Sequence, residues 1–91
     1  MKMNKYNIYE IISSVLGVDF EFVKSMDENE DLVSMGMDSI KFISIVVALE
    51  EAFEVEYPDE CLVITHSNTL NKLASNVSEA LEKKTEERQN E

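Results

Sequence analysis

Glycine and proline are scarce in this chain, which has 91 residues but only two glycines and one proline. A fold with many tight turns, such as a β-sandwich, uses more of both, so their scarcity favours helices. Cysteine is also nearly absent: Cys61 stands alone, and no internal disulfide can form. A single thiol is typical of a reducing compartment, and we therefore expect a cytoplasmic protein.

Positive charge and long apolar runs are lacking as well. Eight Lys and Arg against 19 Asp and Glu give a formal net charge of −11. Such a chain is repelled by nucleic acid and by anionic lipid, so we expect neither as a partner. Polar residues such as Asn7 and Glu10 interrupt the apolar residues near the start, which argues against a signal peptide and against membrane insertion. The length suits one small domain without a deep catalytic cleft, and we expect a monomer.

Three segments have the apolar spacing of helices. In the first, Asn4–Leu16, apolar residues recur at intervals of three and four, and Gly17 suits its C-terminal end. The second, Ser39–Phe53, runs fifteen residues without Gly or Pro, far beyond a typical strand of about 5–6 residues. The third is Thr69–Leu81, for which Asn68 is the predicted cap. The sequence thus predicts an all-α domain.

Shorter helical turns are expected between these helices. The long connection 18–37 begins with an apolar cluster (Phe20, Phe22 and Val23) that suits a helical turn, and continues with the acidic stretch 27–31. Pro58 breaks the chain after the second helix, and residues 59–62 suit another short turn. Charged and amide side chains dominate residues 85–91, where we predict a disordered tail.

Ser39 has an unusual position at the start of the longest apolar helix. It follows Asp38, whose carboxylate suits the N-cap of that helix. A helix N-terminus presents free N–H groups and a partial positive charge, so it tolerates an attached phosphate. The position favours a serine that carries a group over a serine that attacks one.

The predicted helix 39–53 is apolar on two sides. At about 100° per residue, one set of side chains falls within an arc of about 100° and predicts the core face: Phe42, Ile45, Val46, Leu49 and Phe53. A second set falls within about 60° on another side, with acidic residues around it: Ile40, Ile43 and Val47, then Glu50, Glu51 and Glu54. An apolar stripe with an acidic rim is typical of a docking surface for partner proteins. Burial of the helix on most sides is the alternative.

Several sequence elements together resemble the acyl and peptidyl carrier proteins: Asp31-Leu32, Gly36-Met37-Asp38-Ser39-Ile40, Ala48-Leu49-Glu50-Glu51-Ala52-Phe53 and Tyr57-Pro58-Asp59. The resemblance covers about residues 4–83, nearly the whole chain. It implies a small four-helix bundle of three long helices and one short one, a stand-alone carrier domain over residues 1–84. It also implies a 4′-phosphopantetheine arm, transferred from coenzyme A to Ser39, whose thiol holds acyl or aminoacyl groups as thioesters.

The resemblance implies roles for partners rather than for catalytic residues. A carrier of this family is not an enzyme. It serves a phosphopantetheinyl transferase, an acyl- or aminoacyl-loading enzyme and downstream synthase enzymes, in fatty-acid, polyketide or nonribosomal-peptide-type biosynthesis. The family assigns transferase recognition to the helix that starts at the modified serine, which here implicates Asp38, Ile40, Ile43 and Val47.

Lys41 departs from the pattern of fatty-acid carriers, which usually have an acidic residue two positions after the modified serine. A basic residue there looks more like peptidyl carriers of nonribosomal synthesis, or like specialised stand-alone carriers. The acidic remainder of the helix, with Glu50, Glu51 and Glu54, looks more like the fatty-acid type. Both cargo classes therefore stay open.

Three other interpretations compete with a carrier. Asp27, Asn29 and Asp31 match the start of a calcium-binding EF-hand loop, but its sixth position is Leu32 rather than glycine, and we predict no metal site. A serine hydrolase is the second: Ser39 lacks the Gly-x-Ser-x-Gly elbow of these enzymes, and the single histidine, His66, lies in a polar segment. A non-carrier helical protein-interaction module is the third alternative.

Overall fold

The computed structural model describes residues 5–89, and these form four α-helices. Helix α1 spans Lys5–Leu16, α2 spans Phe20–Ser25, α3 spans Ser39–Phe53 and α4 spans Leu70–Gln89. Three short 3₁₀ turns lie between them, at Leu32–Met35, Asp59–Cys61 and Ile64–His66. The predicted all-α bundle of three long helices and one short one is confirmed. The short helix is α2, around the apolar cluster of the first connection, and the turn after Pro58 is a 3₁₀ turn.

The core lies where α1, α3 and α4 meet. Each helix contributes apolar side chains that are at most 1% exposed: Ile8 and Ile12, Ile45 and Leu49, Leu73 and Val77. Burying one side chain of this size contributes about 1.5–3 kcal/mol. The short helix α2 adds Val23 to the same core. Three amphipathic helices therefore share one apolar interior.

The ends of α1 and α2 have simple local causes. Gly17 takes a left-handed φ of 68°, and its N–H donates to the Ser13 carbonyl at 2.9 Å. This is the predicted C-terminal stop of α1. Asp19 then caps α2, because its carboxylate accepts a hydrogen bond from the Glu21 N–H at 3.1 Å. The predicted first residue of α1, Asn4, lies outside the described residues.

Helix α4 is longer than predicted, and its cap is different. The Thr69 Oγ1 accepts a hydrogen bond from the Lys72 N–H at 3.1 Å, so Thr69 rather than Asn68 provides the cap. The Asn68 amide oxygen instead accepts from the Lys72 Nζ at 3.0 Å. Glu, Lys, Arg and Gln are good helix formers, and they carry the helix beyond Leu81.

The proposed division between a domain at 1–84 and a tail at 85–91 stays a prediction. It falls inside α4, whose backbone continues to Gln89, and residues 90 and 91 lie outside the described part of the chain. Within residues 5–89, no helix combines the length and the apolar character needed to cross a membrane.

Candidate functional site

The chain that leads into α3 is anchored immediately before Ser39. Asp31 caps the 3₁₀ turn Leu32–Met35, since its Oδ1 accepts from the N–H two residues later at 2.9 Å. Gly36 ends that turn with a left-handed φ of 100°, a conformation that strains any residue with a Cβ atom. Met37 is 3% exposed, and its N–H donates to the Leu32 carbonyl at 3.2 Å. The residue two positions before Ser39 is therefore part of the core.

Asp38 and Ser39 form the start of α3. The Asp38 Oδ1 accepts a hydrogen bond from the Lys41 N–H at 2.8 Å, which confirms the predicted N-cap. Ser39 is the first helical residue, and its side chain is exposed. The first-turn N–H groups of a helix have no partner within the helix. A phosphate joined to the Ser39 hydroxyl would thus lie at the electropositive end of α3.

Helix α3 has one buried and one exposed apolar face. The five predicted core residues are all at most 8% exposed: Phe42, Ile45, Val46, Leu49 and Phe53. The second set stays accessible, with 79% exposure at Ile40, 47% at Ile43 and 45% at Val47. These three residues are called the exposed stripe below. Burial of α3 on most sides is therefore wrong.

The acidic residues grouped around this stripe by the sequence have different environments. Glu51 and Glu54 are exposed. Glu50 is half-buried, and its Oε2 accepts a hydrogen bond from the Tyr57 N–H at 2.9 Å. Glu54 ends α3 in a left-handed conformation with a φ of 53°. Glu50 thus anchors the segment that follows α3, a contact that periodicity along α3 could not indicate.

A family model described as "Phosphopantetheine attachment site" matches residues 7–85, which is most of the chain. The chain belongs to the phosphopantetheine-attachment family of carrier proteins. In acyl carrier proteins, the group attached at this site is 4′-phosphopantetheine. The exposed Ser39 hydroxyl at the start of a capped helix fits that group, because its phosphate needs an accessible oxygen and a favourable electrostatic environment.

Individual relatives include carriers of two kinds. The acyl carrier protein of Syntrophobacter fumaroxidans is 45% identical over 53 residues, which cover 58% of this chain and 63% of that protein. The acyl carrier protein of Clostridium acetobutylicum is 36% identical over 53 residues, covering 58% and 66%. The D-alanyl carrier protein of Lactococcus lactis subsp. lactis is 38% identical over 76 residues, covering 82% and 92%. The chain thus spans less than two thirds of these two acyl carrier proteins and nearly all of the D-alanyl carrier protein.

The carrier also contains a buried polar cluster that the sequence did not reveal. The Tyr57 hydroxyl donates to the Leu73 carbonyl at 3.4 Å. The Ser67 hydroxyl donates to the Cys61 carbonyl at 3.1 Å and accepts from the Asn76 amide at 2.8 Å. Burial raises the pKa of Tyr57 far above its ordinary value. These contacts tie the segment between α3 and α4 to α4 itself.

The geometry of the described residues gives little support to the calcium-site and hydrolase interpretations. Within residues 5–89, no group of three or more His, Cys, Asp or Glu is placed to hold a metal ion. In the loop that resembles an EF-hand, Asp27 and Asp31 each use a carboxylate oxygen to accept a backbone N–H at 2.9 Å. His66 is exposed at the end of a 3₁₀ turn. Cys61 is buried, as expected for a small apolar residue.

Proposed function

We propose that Ser39 is the attachment point of 4′-phosphopantetheine, and that this chain is a non-catalytic carrier of acyl or aminoacyl groups. The observation that carries the proposal is the exposed Ser39 hydroxyl at the first position of α3, within a family match over residues 7–85. When bound, the arm supplies a terminal thiol that holds the cargo as a thioester. The chain's own residues hold the attachment point, while partner enzymes act on the cargo.

Mass spectrometry tests the attachment directly. The wild-type chain, incubated with coenzyme A and a promiscuous phosphopantetheinyl transferase, is expected to gain the mass of one arm. Ser39→Ala is expected to gain none and still to fold, because an exposed first-turn hydroxyl contributes little to the core. Ser14→Ala, which removes an exposed hydroxyl on α1, is the control and is expected to be modified. Modification of Ser39→Ala would contradict the assignment, and an unmodified wild type would favour a non-carrier interaction module.

Partner docking is assigned to the exposed stripe of α3 and the residues around it. Ile40, Ile43 and Val47 present an apolar surface that continues from Ser39 along the helix. Glu51 and Glu54 are exposed beside it, and Asp38 lies at its start, so a partner with a basic surface is favoured. The one cysteine takes part in no disulfide, in keeping with partners in the reducing cytoplasm.

An aminoacyl cargo is favoured by two observations. Lys41 stands where fatty-acid carriers usually have an acidic residue, and its half-buried side chain belongs to the first turn of α3. The relative that is matched over 92% of its length is named for a D-alanyl cargo. Identification of the enzyme that loads the arm would identify the pathway.

Loading assays separate the two cargo classes. Lys41→Glu is expected to slow loading by an adenylating, aminoacyl-specific enzyme and to speed loading by a fatty-acyl loading enzyme, because it reverses the charge beside Ser39. Both reactions start from arm-bearing protein, confirmed by mass. If the substitution leaves both loading rates unchanged, Lys41 does not report the cargo class.

A further inference from the structure

The acidic connection between α2 and α3 is held in one shape by its own side chains. Asp27 and Asp31 each cap a local turn by accepting the N–H two residues later, at 2.9 Å. Glu28 forms an ion pair with Lys5 of α1 at 3.4 Å. Two of the four acidic side chains in residues 27–31 therefore accept hydrogen bonds within the connection, and a third contacts α1.

The first turn of α4 binds this connection at two places. The Asn71 backbone N–H donates to the Glu28 carbonyl at 3.0 Å, and its side-chain Nδ2 donates to the Asn29 Oδ1 at 2.9 Å. Just before α4, the Asn68 carbonyl accepts from the Leu32 N–H at 2.8 Å. The connection between α2 and α3, residues 26–38, is thus fixed at its middle by a helix distant in sequence.

Between that fixed point and Ser39, two buried residues anchor the chain. Leu32 is completely buried, and its carbonyl accepts from the N–H of Met37, which is itself buried. Asp38 and Ser39 follow directly. The position of the Ser39 hydroxyl therefore depends on how firmly the connection is held against α4.

We propose that Asn71 is a positioning residue for the modification of Ser39: through its side-chain hydrogen bond to Asn29, it holds the connection in the arrangement that the transferase accepts. The inference rests on the proposed attachment at Ser39. When the hydrogen bond is lost, other arrangements of the connection are populated before the transferase binds. The KM for the carrier then rises by the inverse of the competent fraction, while kcat is unchanged.

Matched substitutions at the two partners test this coupling. Asn71→Ala and Asn29→Ala are each expected to raise the KM by about twofold to tenfold, the range that one net hydrogen bond allows when its loss leaves the competent arrangement as a minor part of the population. The double variant is expected to show no further rise, because both changes remove the same bond. Asn29→Asp keeps an acceptor for the Asn71 amide and is expected to retain the wild-type KM. Ser75→Ala, on the same exposed groove of α4, is the control and is expected to leave the KM unchanged.

A second measurement needs no transferase. Hydrogen exchange at the Met37 N–H of the unmodified protein is expected to be faster in Asn71→Ala and Asn29→Ala than in wild type and Ser75→Ala. Faster exchange with an unchanged KM would reduce Asn71 to a structural role and overturn the proposal. Unchanged exchange would overturn it too, since the connection would then be held without this bond. If the wild type is not modified at all, the proposed attachment at Ser39 is wrong. The exchange measurement, which needs no transferase, still reports in that case whether Asn71 holds the connection.

Discussion

Asp38 decides where α3 begins, and it therefore decides which side chain occupies the first exposed position of the helix. Its carboxylate accepts the Lys41 N–H at 2.8 Å, an N-cap contact that contributes about 1 kcal/mol. A cap of this kind can be predicted from the sequence, because it needs only an Asp directly before an uninterrupted apolar run. The position of Ser39 could thus be predicted from its immediate neighbours.

Tyr57 shows the opposite case, a residue whose chemistry depends on distant parts of the chain. Its ring and hydroxyl are buried against α4, and this burial raises its pKa. Its backbone N–H is bound by Glu50 of α3. Neither contact follows a helical period, so sequence analysis could not place either one.

Removal of the Tyr57 hydroxyl should alter how stability depends on alkaline pH. The unfolded chain loses this proton near pH 10, whereas the native state keeps it to higher pH. The contribution of the neutral Tyr57 hydroxyl to the free energy of unfolding is therefore complete below about pH 10, and it is lost as the pH rises toward the native pKa. We expect wild type to lose more stability than Tyr57→Phe between about pH 8 and pH 10.5. Urea unfolding at the two pH values measures this, and equal losses would show that Tyr57 is not held neutral.

Helix α3 divides its apolar residues between the core and an exposed stripe. Phe42, Ile45 and Leu49 face the core, whereas Ile40 and Val47 remain open to solvent. The helical wheel could assign these two faces because the turn angle of a helix is fixed by its backbone. It could not tell whether the second face was covered, since that depends on where the other helices pack.

Truncation on the two faces of α3 should have different consequences. Leu49→Ala is expected to cost about 2–5 kcal/mol of unfolding free energy, because it leaves a cavity in the core. Val47→Ala, two residues away, is expected to cost less than about 1 kcal/mol, because its side chain is 45% exposed. It should instead slow transfer of the arm or loading of the cargo. Equal stability losses, with unchanged transfer kinetics, would make the exposed stripe ordinary core.

Neither the cap nor the length of helix α4 could be predicted from apolar periodicity. The apolar face ends at Leu81, yet the helix continues to Gln89. Its later residues are good helix formers whose backbone hydrogen bonds need no apolar partner. At the other end, Asn68 and Thr69 are both acceptable caps, and the choice of Thr69 frees the Asn68 carbonyl to hold Leu32.

The charge of the whole molecule affects how partners approach it. A net charge of −11 produces an attractive field for a basic protein before any contact forms. Glu51 and Glu54 place part of that charge beside the exposed stripe. Charges at the rim of an interface act mainly on the rate of encounter.

Transfer of the arm should therefore slow as salt is added. As ionic strength rises from about 0.05 M to 0.5 M, the screening length shrinks to a few ångströms. The kcat/KM of the transferase for the carrier is expected to fall over this range. The Glu51→Gln/Glu54→Gln variant should show a shallower dependence, while Glu79→Gln, exposed on α4, should follow wild type. A salt dependence that is the same in all three proteins would remove these two acids from the docking surface.

The bond between Glu50 and the Tyr57 N–H has a thermodynamic consequence for a carrier that exchanges partners. A carboxylate has about four acceptor sites, so a basic side chain of a partner can pair with Glu50 while the Tyr57 N–H stays bound to Oε2. Such a pair would hold the Glu50 side chain in place, and linkage is reciprocal: an ordered segment 55–58 would then favour that partner by the same factor by which the partner favours the order of the segment. A single carboxylate thus couples the occupancy of one surface to the rigidity of its neighbour.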